Sequence, residues 1–276
     1  MVSAGFRFGP ALLFCPADRP DRYRKALERS DAVILDLEDA VAPASKPAAR
    51  RSLVEHPIDP ERVVVRLNPA SSGELAADLE ALRQTAYRTV MLAKCEGTAD
   101  LVGLGELEVI ALCETARGVL AAGELAALAP VIALMWGAED LLASLGGTSS
   151  RFPDGRYRDV ARHARSQVRL AAAAHGVAAV DAVHLDLDDE AGLRAEAEDA
   201  VALGFEATAC VHPRQVDVVR AAYRPDPGTL ARAREVLAAA AGEPGVFAFD
   251  GAMVDAPLLR QAEAVVRRAG GSPTIR

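Results

Sequence analysis

Several short apolar runs in this 276-residue chain close on residues that can do chemistry. Asp36, Glu38 and Asp39 end the second such run. Arg66 and Asn68 end the third, Lys94 and Glu96 the fourth, and Glu114 the fifth. Glu139 and Asp140 follow the sixth, His184 and Asp186 the seventh, and His212 the eighth. Charged side chains are almost never buried without a partner, so acids delivered from several separate runs need cations or water around them. Salt bridges and helix N-caps account for part of any such set. Two or three carboxylates that converge make a hard, all-oxygen environment suited to Mg²⁺, which keeps waters that a substrate can displace. Zinc fits less well, because no His/Cys cluster has ligand spacing. A guanidinium nearby would hold a substrate carboxylate through two parallel hydrogen bonds. Metal plus arginine points to a small oxo-acid or hydroxy-acid, with the cation acting as a Lewis acid on a developing enolate. The chain has no GxSxG elbow, no phosphate-binding GxxxxGK[ST] loop and no HExxH. A Schiff base on Lys94 is conceivable, but among so many acids a charged, paired lysine is expected.

The elements that must position these groups alternate in type. Apolar runs rich in Val, Ile and Leu lie at Ala11–Cys15, Ala32–Leu37, Arg62–Leu67, Thr89–Ala93, Glu108–Cys113, Val131–Trp136, Val177–Val183 and Ala207–Val211. Between them run Ala/Leu/Arg/Glu stretches with helical spacing, including Leu75–Leu82, Gly118–Leu128, Asp159–Ala174 and Ala191–Leu203. Continuous apolar strands alternating with helices signal parallel βαβ units buried on both faces. Eight of them fit an α/β (β/α)8 TIM barrel, whose catalytic groups come from the C-terminal strand ends. An open doubly wound sheet would carry a glycine-rich first turn, and here that turn reads CPADRP. The barrel is expected over residues 1–242. A short C-terminal helical extension is expected over 243–276, after the Gly/Pro break at Gly242–Gly245. A long loop, Gly146–Arg156, follows the sixth strand, and such loops are more often functional than idle.

Composition narrows the classes. With 51% hydrophobic and 25% charged residues the chain is not disordered. Its 31 basic and 39 acidic side chains, net −8, argue against nucleic acid as a partner. Cys15, Cys95, Cys113 and Cys210 form no CxxC pair and sit in or beside apolar runs, which suits reduced, buried thiols. The opening MVSAGFRFGP lacks a signal-peptide core. The most membrane-like window, Val119 to Ala138, is broken by Gly123, Glu124 and Pro130 and reads as a helix followed by a buried strand. No membrane association and a cytoplasmic location are therefore expected.

The runs DLEDAV (Asp36–Val41), SKPAAR (Ser45–Arg50), RLN (Arg66–Asn68), ETARG (Glu114–Gly118), GAEDL (Gly137–Leu141) and CVHPRQ (Cys210–Gln215) together resemble the citrate lyase β-subunit-like (CitE-like) family. That family is grouped with malyl-CoA and citramalyl-CoA lyases and HpcH/HpaI aldolases. The likeness extends to the terminal MVDAPLL (Met253–Leu259), so it spans nearly the whole chain. It implies that Glu114 and Asp140 ligate Mg²⁺, that Asp36 holds a water of the metal, and that Arg66 grips the carboxylate of oxaloacetate, glyoxylate or pyruvate. Glu114 could instead cap the following helix, and Arg66 could instead form a barrel-interior salt bridge to Glu38 or Asp36. Lys46 and Arg50, four apart on the helix after the second strand, read as structural. By resemblance, Asp255 is the acid/base on a C-terminal lid that protonates the acetyl-CoA enolate. Its alternative is an N-cap ahead of Ala256 and Pro257. Arg19 and Lys25, in DRPDRYRK after the first strand, are the implied contacts of coenzyme A; a solvated helix face is their alternative.

The implied activity is a Mg²⁺-dependent carbon–carbon lyase. It would cleave a dicarboxylic 3-hydroxyacyl-CoA of the citramalyl-, malyl- or citryl-CoA type into an oxo-acid and acetyl-CoA by retro-Claisen chemistry, in a homotrimer. Alternatives are a CoA-independent metal aldolase, a malyl-CoA thioesterase and a non-catalytic subunit of a larger lyase assembly. Two departures fall on the substrate rim: CPADRP lacks the glycine that many relatives carry after the proline, and LAKCE lacks the proline that usually precedes the lysine.

Overall fold

The computed structural model describes residues 6–241 and 245–270. Eight parallel strands run β1 (Ala11–Pro16), β2 (Ala32–Asp36), β3 (Val63–Leu67), β4 (Thr89–Leu92), β5 (Glu108–Cys113), β6 (Val131–Trp136), β7 (Ala178–Asp181) and β8 (Ala207–Cys210). They pair in sequence order, and β1 pairs with β8 to close the barrel. The expected (β/α)8 architecture is therefore observed. Helices α1 (Pro20–Arg29), α2 (Lys46–Glu55), α3 (Leu75–Leu82), α4 (Ala116–Ala126), α5 (Ala138–Ser144), α6 (Asp159–His175), α7 (Glu190–Leu203) and α8 (Pro213–Tyr223) interleave with the strands. The apolar window after Val119 resolves into α4 and β6, as its breaks imply. No described helix is long and apolar enough to cross a membrane. All four cysteines are buried free thiols.

Strand side chains alternate between faces. The inward series of Leu12, Ile34, Val64, Met91, Ile110, Leu112, Met135, Val180 and Ala209 forms the barrel core. The same two-residue step carries β2 from Ile34 to Asp36, β3 from Val64 to Arg66, and the end of β5 from Leu112 to Glu114. The three polar groups thus sit on top of the apolar plug, where water thins out and charges must be paired. Pairing register makes Asp36 and Arg66 direct cross-strand neighbours.

The chain divides into two compact units, Met1–Val219 and Arg220–Arg276, the boundary falling within α8. The expected boundary between 242 and 243 lies outside the described residues. In the second unit α9 (Pro227–Ala240), a hairpin of β9 (Phe247–Phe249) and β10 (Ala252–Val254), and α10 (Ala256–Arg268) share one small core. Ala233, Val236 and Leu237 of α9 pack with Val254, Ala262 and Val266. Helix α9 therefore groups with the C-terminal segment.

Candidate active site

Arg66 forms a fork on Asp36, with Nε donating to Oδ1 at 2.7 Å and Nη2 to Oδ2 at 2.6 Å, while Nη1 lies 3.2 Å from Glu38 Oε2. Asp36 is fully buried and also accepts the backbone N–H groups of Glu38 (2.8 Å) and Ala40 (3.0 Å). Four donors fill its two oxygens. Asp36, expected to hold a water of the metal, is thus engaged in fixing Arg66 and the turn after β2. The salt-bridge alternative for Arg66 is present, yet it engages only three guanidinium N–H groups and leaves one on each terminal nitrogen for a further acceptor. The Phe14 ring supports the guanidinium from 4.8 Å. Burial lowers the affinity of Arg66 for its proton, but the Asp36 hydrogen bonds and charge raise it further, so Arg66 stays charged.

Glu114 is buried, 3% exposed. It does not cap α4: Thr115 does, accepting the N–H of Gly118 at 3.1 Å. Glu114 instead accepts one N–H, from Lys94 at 3.0 Å. Desolvation, with the Asp140 charge second, pushes its carboxyl up to about 8 from an ordinary 4.5. Gly137, at the end of β6, makes room for it: a Cβ there would lie 2.8 Å from Glu114 Oε2. Asp140 stands in the first turn of α5, partly exposed, with Oδ1 3.2 Å from Lys94 Nζ. The Lys94 ammonium also reaches Glu38 at 2.6 Å and Asp39 at 3.2 Å. Lys94 is thus charged and paired, as expected for a lysine among acids. Burial raises the Glu38 carboxyl, a shift that Arg66 and Lys94 oppose.

This donor set fits Mg²⁺. Glu114 and Asp140 are hard oxygen donors, and Glu114 is desolvated with no cation hydrogen-bonded to it. Among the described residues no three His, Cys, Asp or Glu side chains form a ready-made cage. Mg²⁺ suits such sparse ligation, because it usually takes one or two carboxylates and keeps waters or substrate oxygens on its other positions.

The polar groups border a cavity of about 340 Å³. Asp36, Arg66, Glu114 and Asp140 line one side, with Phe14, Leu112, Met135, Val183, Leu185 and Val211 as an apolar wall. Trp136, also on the wall, is fixed by its Nε1–H donating to Asp181 Oδ1 at 2.6 Å. The loop after α5 reaches this rim through Ser150, whose hydroxyl donates to Glu139 at 2.6 Å.

The remaining expected residues have these surroundings. Arg19 is the exposed residue preceding α1 and pairs with Asp21 (3.0 Å); Lys25 is exposed on the same helix. Neither lines the cavity, although Pro16 of the same segment does. Asp255, in the second unit, caps α10 by accepting the N–H of Leu258 at 3.2 Å. Lys46 donates to the carbonyls of Leu37 and Glu38 and to Asn68 Oδ1, and Arg50 pairs with Asp78 and Glu74, both structural roles. His184 does not line the cavity, and its Nδ1 lies 2.9 Å from Glu196. Sequence reasoning missed the cavity's apolar wall and did not specify that Lys94 pairs with Glu38, Asp39 and Asp140.

Residues 11–213 match the profile of the HpcH/HpaI aldolase/citrate lyase family. A citrate lyase subunit beta-like protein of Mycobacterium tuberculosis is 59% identical over 262 residues, covering 95% of this chain and 96% of that one. A mitochondrial citramalyl-CoA lyase of Rattus norvegicus is 31% identical over 293 residues, covering 94% and 85%. Among solved structures, protein CitE from Mycobacterium tuberculosis in complex with magnesium, acetoacetate and coenzyme A superposes with a TM-score of 0.91. It is 59% identical, covering 95% of this chain and 98% of that one.

Proposed function

The chain belongs to the HpcH/HpaI aldolase/citrate lyase family and is a lyase, and from that premise we propose a Mg²⁺-dependent cleavage of a dicarboxylic 3-hydroxyacyl-CoA into an oxo-acid and acetyl-CoA. Citramalyl-, malyl- and citryl-CoA are the candidate substrates. One observation carries the reading. Arg66, with two N–H groups to spare, shares a cavity with Glu114 and Asp140, two oxygen donors fit for Mg²⁺. The magnesium-, acetoacetate- and coenzyme A-bound relative supports it.

The terminal N–H groups of Arg66 would orient the carboxylate of the departing oxo-acid, with Asp36 and Glu38 keeping the guanidinium in plane. Glu114 and Asp140 would hold Mg²⁺. When bound, that ion acts as a Lewis acid on the substrate's oxygens. The apolar wall from Phe14 to Val211 excludes water from the reacting carbons, which strengthens every charge interaction in the cavity. Asp255 is assigned the proton delivered to the acetyl-CoA enolate carbon, and Arg19 and Lys25 the coenzyme phosphates. A homotrimeric, cytoplasmic enzyme completes the proposal.

The test is release of oxo-acid from each of the three acyl-CoA esters by purified protein with Mg²⁺. Activity should fall by roughly 10² or more in Asp140→Asn, the usual scale for losing electrostatic help at the reacting centre. Full activity in that variant would remove the metal site from the mechanism. A variant with both Arg19→Ala and Lys25→Ala should raise KM for the ester; an unchanged KM would favour an aldolase that needs no coenzyme A.

A further inference from the structure

Lys94 is one of only two described non-glycine residues with positive φ, at 48°. A lysine holds this left-handed conformation only where its surroundings require it, and such residues gather at functional sites. Here both ends of the residue are occupied. Its backbone N–H donates to Glu114 Oε1 at 3.0 Å, and its ammonium lies 3.2 Å from Asp140 Oδ1. One residue therefore touches both carboxylates assigned to the metal. The ammonium has two further partners on the β2 side, Glu38 at 2.6 Å and Asp39 at 3.2 Å.

We infer that Lys94 is a built-in counter-ion that Mg²⁺ must displace from Asp140, which makes tight metal binding conditional on an anionic substrate. The inference rests on the Mg²⁺ site proposed at Glu114 and Asp140. A divalent cation between those carboxylates would stand within a few ångströms of the ammonium, and like charges at that range repel strongly in a partly desolvated site. Asp140 cannot keep its contact with Lys94 undisturbed and also ligate. Once released, the ammonium stays on Glu38 and Asp39, so it remains a positive charge beside the metal. An oxo-acid carboxylate arriving on Arg66 offsets that charge, so metal and oxo-acid favour one another's binding. Their coupling is reciprocal by thermodynamic necessity. Lys94 is thus a positioning residue that acts through Asp140 and the local charge.

The experiment is a Mg²⁺ titration at pH 8, with and without pyruvate, followed by the fluorescence of Trp136, the only tryptophan and a cavity residue. Lys94→Met removes the charge. Lys94→Gly removes it while relaxing the left-handed backbone, which separates charge from conformation. Lys94→Arg keeps the charge. Without pyruvate, the Met and Gly variants should bind Mg²⁺ about tenfold more tightly than the unsubstituted protein. Their enhancement by pyruvate should shrink, and the Arg variant should behave as the original. Unchanged or weaker Mg²⁺ binding in both the Met and Gly variants overturns the inference, while loss of binding in Glu114→Gln still upholds the site. Absence of Mg²⁺ binding by the unsubstituted protein, with pyruvate as well as without, overturns the site and the inference together.

Discussion

The carboxyl of Glu114 makes the metal-free protein carry a pH-dependent cost. It is buried in the cavity wall with one N–H donor and no hydrogen-bonded cation, and desolvation pushes it up to about 8 against 4.5 for an ordinary glutamate. Between those two values the folded chain retains a proton that the unfolded chain has released. Stability contributed by this group is therefore present in acid and is lost as pH rises through the window. Integrated from pH 5 to pH 7.5, the loss is about 3 kcal/mol, or roughly 5 °C in Tm for a protein of this size. Glu114→Gln keeps an oxygen for the Lys94 N–H and removes the ionisation. Urea unfolding in EDTA, followed by Trp136 fluorescence, should show the original protein losing about 3 kcal/mol more than the variant over that pH range. At pH 7.5 the variant should be the more stable of the two, and Mg²⁺ should restore stability to the original protein alone. Equal pH dependence in the two proteins would refute the reasoning, and so would a Gln variant less stable at pH 7.5.

Three further outcomes follow from the geometry. Gly137→Ala places a Cβ 2.8 Å from Glu114 Oε2 and 3.0 Å from its Cβ; it should keep the barrel's circular dichroism, cost about 1–3 kcal/mol, and weaken Mg²⁺ binding by calorimetry. Arg66→Lys keeps a charge but cannot reproduce the fork on Asp36, so kcat/KM should fall by roughly 10², while Mg²⁺ binding in the absence of substrate persists. Asp255→Asn preserves the α10 cap, because asparagine caps as well as aspartate; Tm should hold within about 1 °C, while oxo-acid release collapses and Mg²⁺ binding stays intact.

The sequence alone determined which residues face the barrel interior. The two-residue period of a strand is local, so the steps from Ile34 to Asp36, Val64 to Arg66 and Leu112 to Glu114 are legible without a structure. Helix starts are local in the same way: Pro213 opens α8, as a proline tolerated at the first helical position can. Tertiary structure decided who meets whom. Arg66 had Asp36 or Glu38 as possible partners and takes both, and Thr115 rather than Glu114 caps α4. Lys94 closes on Glu38, 56 residues away, and on Asp140 across the barrel mouth. Helix α9 packs with α10, a grouping that its own periodicity does not specify. The physical reason is range. Side-chain direction follows from a few neighbouring dihedral angles, whereas the choice of ion-pair partner depends on barrel closure, which brings distant strand ends within one hydrogen-bond length.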